Sequence, residues 1–212
     1  MFIAQASKYA HDFWRYLVGS FIIIVASVIG QLPFTFAVFY KKGFEIMGAT
    51  EAELMKVLDS NLNLFLLLLS FVFGMLGIYL VVKFLHKQPF KTVTTTRKKV
   101  DWKRIAFGFT LIAIFTAVTT YWDYSSNPDN YVLNFEPVSF TILCIIAILM
   151  VPIQTSMEEY IFRGYLMQGF GLLAKNRWFP LLLTSFIFGG LHFFNPEVTK
   201  LGNIIMIYYI GT

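Results

Sequence analysis

The sequence predicts an all-α fold, a polytopic bundle of transmembrane helices. Of its 212 residues, 57% are hydrophobic and only 14% are charged, which is far more apolar than a soluble globular domain. Several apolar runs approach or exceed the about 20 residues that a helix needs to cross a hydrocarbon core. We therefore expect one membrane-embedded helical domain over residues 1–212, with five full spans and an incomplete sixth.

Each predicted span is an apolar run bounded by polar segments. The five full spans are expected at 16–40, at 62–85, at 105–121, from 138 past Pro152 toward an acidic pair, and at 179–194. The sixth run, residues 201–210, is too short to cross a membrane alone. Residues 139–168 would form a continuous helix of about 45 Å, which is longer than the hydrocarbon core of about 30 Å. We therefore expect a bend in this helix. Pro152 is the expected place, because it removes a backbone hydrogen-bond donor.

Basic residues predict the orientation of the bundle. Between the second and third spans lie Lys87, Lys91, Arg97, Lys98, Lys99, Lys103 and Arg104. Smaller basic groups precede the first span and follow the fourth, whereas residues 122–137 hold no Lys or Arg. Because cytoplasmic loops are enriched in Lys and Arg, the amino terminus is expected to be cytoplasmic, and the net charge of +5 does not indicate nucleic-acid binding. Lys41, Lys42 and Lys56 fit this rule less well, since they fall on the predicted outer side.

An acidic pair with an arginine four residues later stands at the end of the fourth apolar run. On a helix, Glu159 and Arg163 share one face and are close enough for a carboxylate to pair with a guanidinium. Glu158 points about 100° away, toward a different environment. A carboxylate that faces an apolar cavity is suited to act as a general base, so Glu158 is the expected reactive acid.

His192 ends the next apolar run, after Gly189 and Gly190. If it meets Glu158 across the bundle, the two side chains could orient one water molecule or share a metal ion such as zinc. Two ligands are too few for a structural zinc site, although a catalytic site with a third ligand elsewhere fits the pattern. More ordinary interpretations are an interfacial ion pair for the acids and a hydrogen-bonded packing role for the histidine. Ionisable groups inside a membrane are nevertheless functional candidates by default, because inserting each costs about 2.5–3.5 kcal/mol.

These residues resemble the CPBP family of intramembrane proteases, which includes the type II CAAX prenyl endopeptidases and the bacteriocin-processing and immunity proteins also called the Abi family. The resemblance lies in Glu158, Glu159 and Arg163, followed by Phe188 and His192 in the next span. It implies a Glu/His-activated water that hydrolyses a peptide bond of a membrane-associated peptide or protein. Glu158 and His192 would be the water-activating pair, with Arg163 holding Glu159 and the helix in place. A divalent metal such as zinc, with Glu158 and His192 as candidate ligands, stays open.

The family pattern continues with a histidine followed four residues later by asparagine or aspartate, and this third motif is missing. The remaining histidines, His11 and His86, precede the first motif and are expected to be structural. We therefore expect the domain to lack carboxyl-terminal helices of the full family fold. The alternative is a natural, non-catalytic immunity or scaffold protein of the same family. An ion-coupled transporter is a weaker alternative, because the chain has no internal repeat.

The resemblance also implies a setting for the protein. The expected partners are the lipid bilayer and a membrane-associated peptide or protein substrate. The expected location is the inner membrane of a bacterial cell.

Overall fold

The structure, a computed structural model, describes residues 2–46, 48–174, 176 and 178–193. Within these ranges every regular element is a helix, which confirms the all-α prediction. Four helical stretches are long and apolar enough to cross a membrane: Phe13–Glu45, Ser60–Leu85, Trp102–Ser126 and Pro137–Ala174. The fifth predicted full span corresponds to Trp178–His192, which has 15 residues and is shorter than a membrane span as far as the described residues extend. The incomplete sixth span, 201–210, lies outside the described residues.

The chain divides into two compact units, which are described separately. The first comprises Met1–Thr96 and Ile142–Thr212, and the second comprises Arg97–Thr141. The prediction of a single domain stays a prediction. The first unit contains α1 (Phe13–Lys42), α2 (Glu51–Leu54), α3 (Ser60–Leu80) and α4 (Lys91–Thr94), most of α6 (Pro137–Glu159), α7 (Met167–Ala174) and α8 (Trp178–His192). It also contains 3₁₀ helices at Ile3–Lys8 and Gly43–Ile46 and π-helical segments at Val81–Leu85 and Tyr160–Leu166.

The second unit contains α5 (Trp102–Ser126), a 3₁₀ turn at Pro128–Asn130 and the first residues of α6. Asp101 caps α5, because its carboxylate accepts a hydrogen bond from the Arg104 N–H. The same carboxylate forms an ion pair with Arg97. Beyond α5, the Tyr131 hydroxyl donates to Asp123 and fastens the following turn to the end of the helix.

Helices α1 and α3 form the main helix pair of the first unit, and glycines bring their backbones close. A methyl group on Gly30 would lie 2.8 Å from both the Leu69 carbonyl oxygen and the Ser70 Cα. Small residues allow such close packing of membrane helices, where dispersion replaces the hydrophobic effect as the main attraction. Buried side chains of α1, α3 and the Tyr160–Leu166 segment then pack into one core that includes Ile23, Ile78 and Tyr165.

The backbone hydrogen-bonding pattern changes directly after the acidic pair, Glu158 and Glu159. The α-helical pattern continues through Pro152 to Glu159 and becomes π-helical over Tyr160–Leu166 before α7 begins. The change from regular α geometry therefore falls at the motif itself, not at Pro152, and the predicted bend at Pro152 stays a prediction. Short π-helical turns cost stability and occur frequently at functional sites.

In the first unit, the amino-terminal segment contacts the segment that follows α3. The Ala10 N–H donates to the His86 carbonyl at 3.1 Å, and the Gln5 amide donates to the Thr95 carbonyl at 3.4 Å. The amino-terminal basic residues therefore lie in the same part of the first unit as Lys87 and Lys91, as the positive-inside rule expects of groups on one side. The other members of the second basic group, from Arg97 to Arg104, belong to the second unit. The cytoplasmic identity of that side stays a prediction, and the third group, Lys175 with Arg177, lies outside the described residues.

The close approach at Gly30 yields a test of the helix packing. Gly30→Ala should lower stability by about 1–3 kcal/mol, because the added methyl group meets backbone atoms that cannot rotate away. Gly108→Ala on α5 is the matched control: its methyl group meets nothing within 4 Å, and alanine is the better helix former. Thermal unfolding in detergent would check both variants. A Gly30→Ala melting temperature equal to that of the parent would contradict the described packing of α1 on α3.

Candidate active site

Glu158 and His192 line the same cavity, which has a volume of about 530 Å³. Glu158 reaches it from the last turn of α6, and His192 reaches it from the end of α8. Most of the wall is apolar, formed by Ile23, Ile24, Val28, Phe71, Met157, Ile161, Phe162, Leu166, Ile187 and Leu191. Such a size and lining are typical of small-molecule and peptide sites, in which a few polar groups meet in an apolar pocket. Ser20, Ser27 and Tyr165 complete the wall.

The His192 ring is oriented by its own helix. Its Nδ1 lies 2.8 Å from the Phe188 carbonyl oxygen. A carbonyl oxygen only accepts hydrogen bonds, so Nδ1 carries the proton of the neutral ring and Nε2 carries the lone pair. The ring also packs on Phe188, with 4.3 Å between centroids, and Phe188 in turn packs edge-on against Phe162 at 5.2 Å. The aromatic contacts therefore join the end of α8 to the segment that follows Glu158.

The half-buried Glu158 carboxylate has two polar neighbours, Gln154 and His192. Gln154 lies one helical turn earlier on α6, and its side chain is a hydrogen-bond partner of the acid. His192 interacts with it electrostatically across the cavity. Because the surrounding wall is apolar, charge interactions here are stronger than they would be in water. The structure thus brings together the two residues that sequence reasoning singled out as a reactive pair.

Glu159 lies on a different face of the same helix. Its carboxylate is in contact with the Arg163 guanidinium, and both side chains line a second cleft of about 330 Å³. The other walls of this cleft come from the amino-terminal segment and from α4, including Phe2, Val93 and Thr94. The two adjacent acids therefore have different surroundings: Glu158 faces the apolar cavity, and Glu159 is held in an ion pair.

Comparison with known proteins identifies the segment that carries both acids and the histidine. Residues 137–212 match the family described as type II CAAX prenyl endopeptidase Rce1-like. Over this segment the chain is similar to that family. The match confirms the resemblance recognised from the two motifs, and it includes Glu158, Glu159, Arg163 and His192.

One relative extends the similarity beyond the family segment. The uncharacterized protein YyaK of Bacillus subtilis (strain 168) is 34% identical over 188 residues, which cover 88% of this chain and 63% of that protein. The chain thus spans a little under two thirds of the relative's length. No solved structure matches the chain.

A buried histidine outside the Rce1-like segment supports the cavity wall from behind. His86 is 1% exposed, and its Nδ1 lies 2.7 Å from the Ala10 carbonyl oxygen. This carbonyl accepts the Nδ1 proton, so Nε2 accepts the hydroxyl proton of Tyr165, 3.0 Å away. The sequence predicted a structural role for His86, which lies beside the basic residues that follow the second span. Its burial shows how firmly this part of the chain is joined to the Rce1-like segment.

Tyr165 and Gln168 are the residues that sequence reasoning missed. Tyr165 lines the cavity with its ring, and it lies seven residues after Glu158, a spacing that shares one face of a regular helix. Gln168 is 1% exposed; its amide donates to the Thr92 carbonyl at 2.9 Å and accepts a bond from Gln88 at 3.0 Å. Buried polar groups need such partners, so these bonds fix α4 against α7. No pattern in the sequence pairs residues 80 positions apart.

His11 has a more ordinary environment. It is exposed, and its Nδ1 lies 2.7 Å from the Tyr9 carbonyl oxygen, within the same turn of chain. This local contact agrees with a structural role and places His11 outside the cavity lining.

Glu158 and His192 are the candidate ligands for a divalent metal such as zinc. Among the described residues, no group of three His, Cys, Asp or Glu side chains is placed to hold a metal ion. Glu158 and His192 supply two donors, whereas a catalytic zinc takes three protein ligands and a water. The described donors therefore do not make a complete zinc site.

His86 yields a test based on pH. Burial lowers its pKa from the ordinary 6.5, and nearby Arg15 acts in the same direction, while the Ala10 hydrogen bond and Asp12 oppose the shift. The unfolded chain therefore binds a proton at His86 at pH values where the folded chain does not, so stability is full above about pH 6.5 and falls as the pH is lowered. We expect the melting temperature to drop between pH 7.5 and 5.5, and to drop less in His86→Gln.

The control for this measurement is His11→Gln, which removes the exposed histidine. It should leave the slope of melting temperature against pH unchanged. A slope in His86→Gln as steep as that of the parent would show that His86 is not the group responsible.

Proposed function

We propose that the protein is an intramembrane endopeptidase that hydrolyses a peptide bond of a membrane-associated peptide or protein. Glu158 is the general base, and His192 orients the attacking water. The observation that supports this proposal is that both side chains line one largely apolar cavity, most of whose wall comes from helices long enough to cross a membrane. An apolar wall strengthens the charge interactions of the reacting groups.

The reaction begins with a water molecule held by two acceptors. The Glu158 carboxylate accepts one of its protons, and the lone pair of His192 Nε2 accepts a hydrogen bond from the other. The anchoring of Nδ1 on Phe188 leaves Nε2 as this acceptor in the neutral ring. As the water oxygen attacks the peptide carbonyl carbon, its first proton moves to Glu158, and a tetrahedral intermediate forms.

The intermediate then collapses with cleavage of the C–N bond. The proton held by Glu158 moves to the departing nitrogen, which leaves as an amine and restores the carboxylate. One residue thus acts first as base and then as acid. Arg163 acts as a positioning residue, since its ion pair with Glu159 fixes the helix on the side away from the cavity.

The proposed substrate is a lipid-anchored peptide, a choice that rests on the description of the matched family as CAAX prenyl endopeptidases. An apolar cavity within membrane helices suits a peptide that is already concentrated at the bilayer. We further propose that the protein acts in the cytoplasmic membrane of a bacterial cell. The similarity to a Bacillus subtilis protein supports this location.

Glu158→Gln tests the mechanism. The amide keeps the shape of the side chain but cannot take a proton from water, so cleavage should slow by about 10²- to 10⁴-fold. The assay uses full-length protein in lipid nanodiscs and a fluorogenic farnesylated peptide ending in Cys-Val-Ile-Met, with the unfarnesylated peptide beside it. Glu45→Gln, an exposed carboxylate outside the cavity, is the control and should cleave as the parent does.

The result also separates the competing functions. If Glu158→Gln cleaves at the parental rate, the general-base mechanism is wrong. If the parent cleaves neither peptide while Glu158→Gln retains biological activity, a non-catalytic scaffold explains the protein better.

A charge exchange tests the positioning role of Arg163. Arg163→Glu places two carboxylates in contact and should reduce cleavage, whereas the double variant Glu159→Arg/Arg163→Glu restores an ion pair. Contacting residues couple by about 0.5–3 kcal/mol, so the double variant should be at least about twofold faster than the Arg163→Glu variant. Arg97→Ala, which removes an ion pair with Asp101 in the second unit, should leave the rate nearly unchanged. A double variant as slow as the single one would indicate that the pair does more than position the helix.

A further inference from the structure

We propose that Ser20 and Ser27 of α1 bind the backbone of the substrate, which lies in an extended conformation along α1. This inference rests on the proposed function and adds two residues that bind the substrate. Both serines lie outside the Rce1-like segment, in the part of the chain that forms the opposite wall of the cavity.

The α1 wall is a single helical stripe. Its cavity-lining members recur at intervals of three and four residues: Ser20, Ile23, Ile24, Ser27 and Val28. This spacing is that of one face of an α-helix. The two serines stand seven residues apart and so occupy equivalent positions two turns apart. An otherwise apolar stripe therefore presents two hydroxyl groups to the cavity.

These hydroxyls differ from others in the same helices. Helical serines and threonines usually return their proton to a backbone carbonyl three or four residues earlier, as Ser70 does to Leu67 at 2.8 Å and Thr155 does to Val151 at 3.1 Å. The described residues give neither Ser20 nor Ser27 a hydrogen bond of this kind or any other. A polar group in an apolar wall costs free energy unless a partner is supplied, and the substrate can supply it.

Neighbouring contacts fix the depth of each serine relative to the reactive pair. The Ser27 hydroxyl and the Met157 side chain both lie against Gly74, so Ser27 stands at the level of the turn that carries Glu158. The Tyr165 hydroxyl lies against Gly19, so Ser20 stands at the level of Tyr165. The line from Ser27 to Ser20 therefore runs from the reactive acid toward the beginning of α1.

The separation of the hydroxyls matches an extended peptide. Seven helical residues rise about 10 Å, and three residues of extended chain cover about the same distance. A peptide in this cavity loses its water, so its N–H and C=O groups need protein partners. The hydroxyl of Tyr165 is already engaged with His86. Ser20 and Ser27 are the remaining hydroxyls of the described wall, and their spacing holds about three residues whose first peptide group lies beside Glu158.

The experiment measures binding separately from cleavage. The Glu158→Gln protein in nanodiscs is titrated with the fluorescently labelled farnesylated peptide ending in Cys-Val-Ile-Met. Ser20→Ala and Ser27→Ala, each added to this background, should weaken binding about 3- to 10-fold, the effect of losing one hydrogen bond. Ser70→Ala is the matched control, because its hydroxyl bonds to its own helix and lies outside the cavity lining. Its affinity should equal that of the background protein.

Peptides in which one amide is replaced by an ester identify the bonded group without altering the protein. An ester removes the N–H donor and weakens the neighbouring carbonyl as an acceptor. At the position that meets a serine, the ester should weaken binding to the background protein, yet cause no further loss in the matching Ser→Ala variant. The inference would be overturned if each ester lowered the affinity equally in all variants. It would also be overturned if the Glu158→Gln protein bound no peptide detectably.

The two proposals fail in distinguishable ways. Equal affinity of Ser20→Ala, Ser27→Ala and the background protein would overturn the role of the hydroxyls and leave the mechanism at Glu158 standing. Cleavage of the peptide at the parental rate by Glu158→Gln would overturn the proposed function, whatever the serines do.

Discussion

The hydrogen bond between His86 and Tyr165 holds together three segments that are distant in sequence. One nitrogen of the buried ring binds the amino-terminal segment at Ala10, and the other binds the helix that follows Glu158. Neither side chain is exposed by more than 2%. Leaving a buried donor or acceptor without its partner would therefore lower the stability of the fold. The position of the cavity relative to α1 depends on this contact, since Tyr165 is part of the cavity wall and also lies against Gly19.

The cavity is lined by residues from two parts of the chain. Glu158 and His192 come from the Rce1-like segment, whereas Ser20, Ser27 and Phe71 come from helices before it. The proposed chemistry and the proposed binding of the peptide backbone therefore depend on different parts of the sequence. Similarity to a known family supports the first proposal, and the lining of the cavity supports the second.

The sequence predicted those features that depend on local order along the chain. Apolar runs located the four long spans, and a spacing of four residues placed Arg163 beside Glu159. Features that depend on distant contacts were not predictable in this way. The buried His86, for example, is hydrogen-bonded to Tyr165, 79 residues away, and no local pattern indicates that contact. The π-helical segment after Glu159 was likewise not predicted from the sequence.

That turn also sets the repeat of the helix on which the acids stand. An α-helix closes a turn in 3.6 residues and a π-helical turn takes in more, so the combined segment repeats close to every four residues. Residues 157–158, 161–162 and 165–166 consequently line the cavity, while 155–156, 159–160 and 163–164 line the second cleft. A regular α-helix would rotate each successive pair away from its surface. The segment thus keeps two neighbouring rows of side chains aligned along one helix, one row facing the apolar cavity and the other carrying the ion pair.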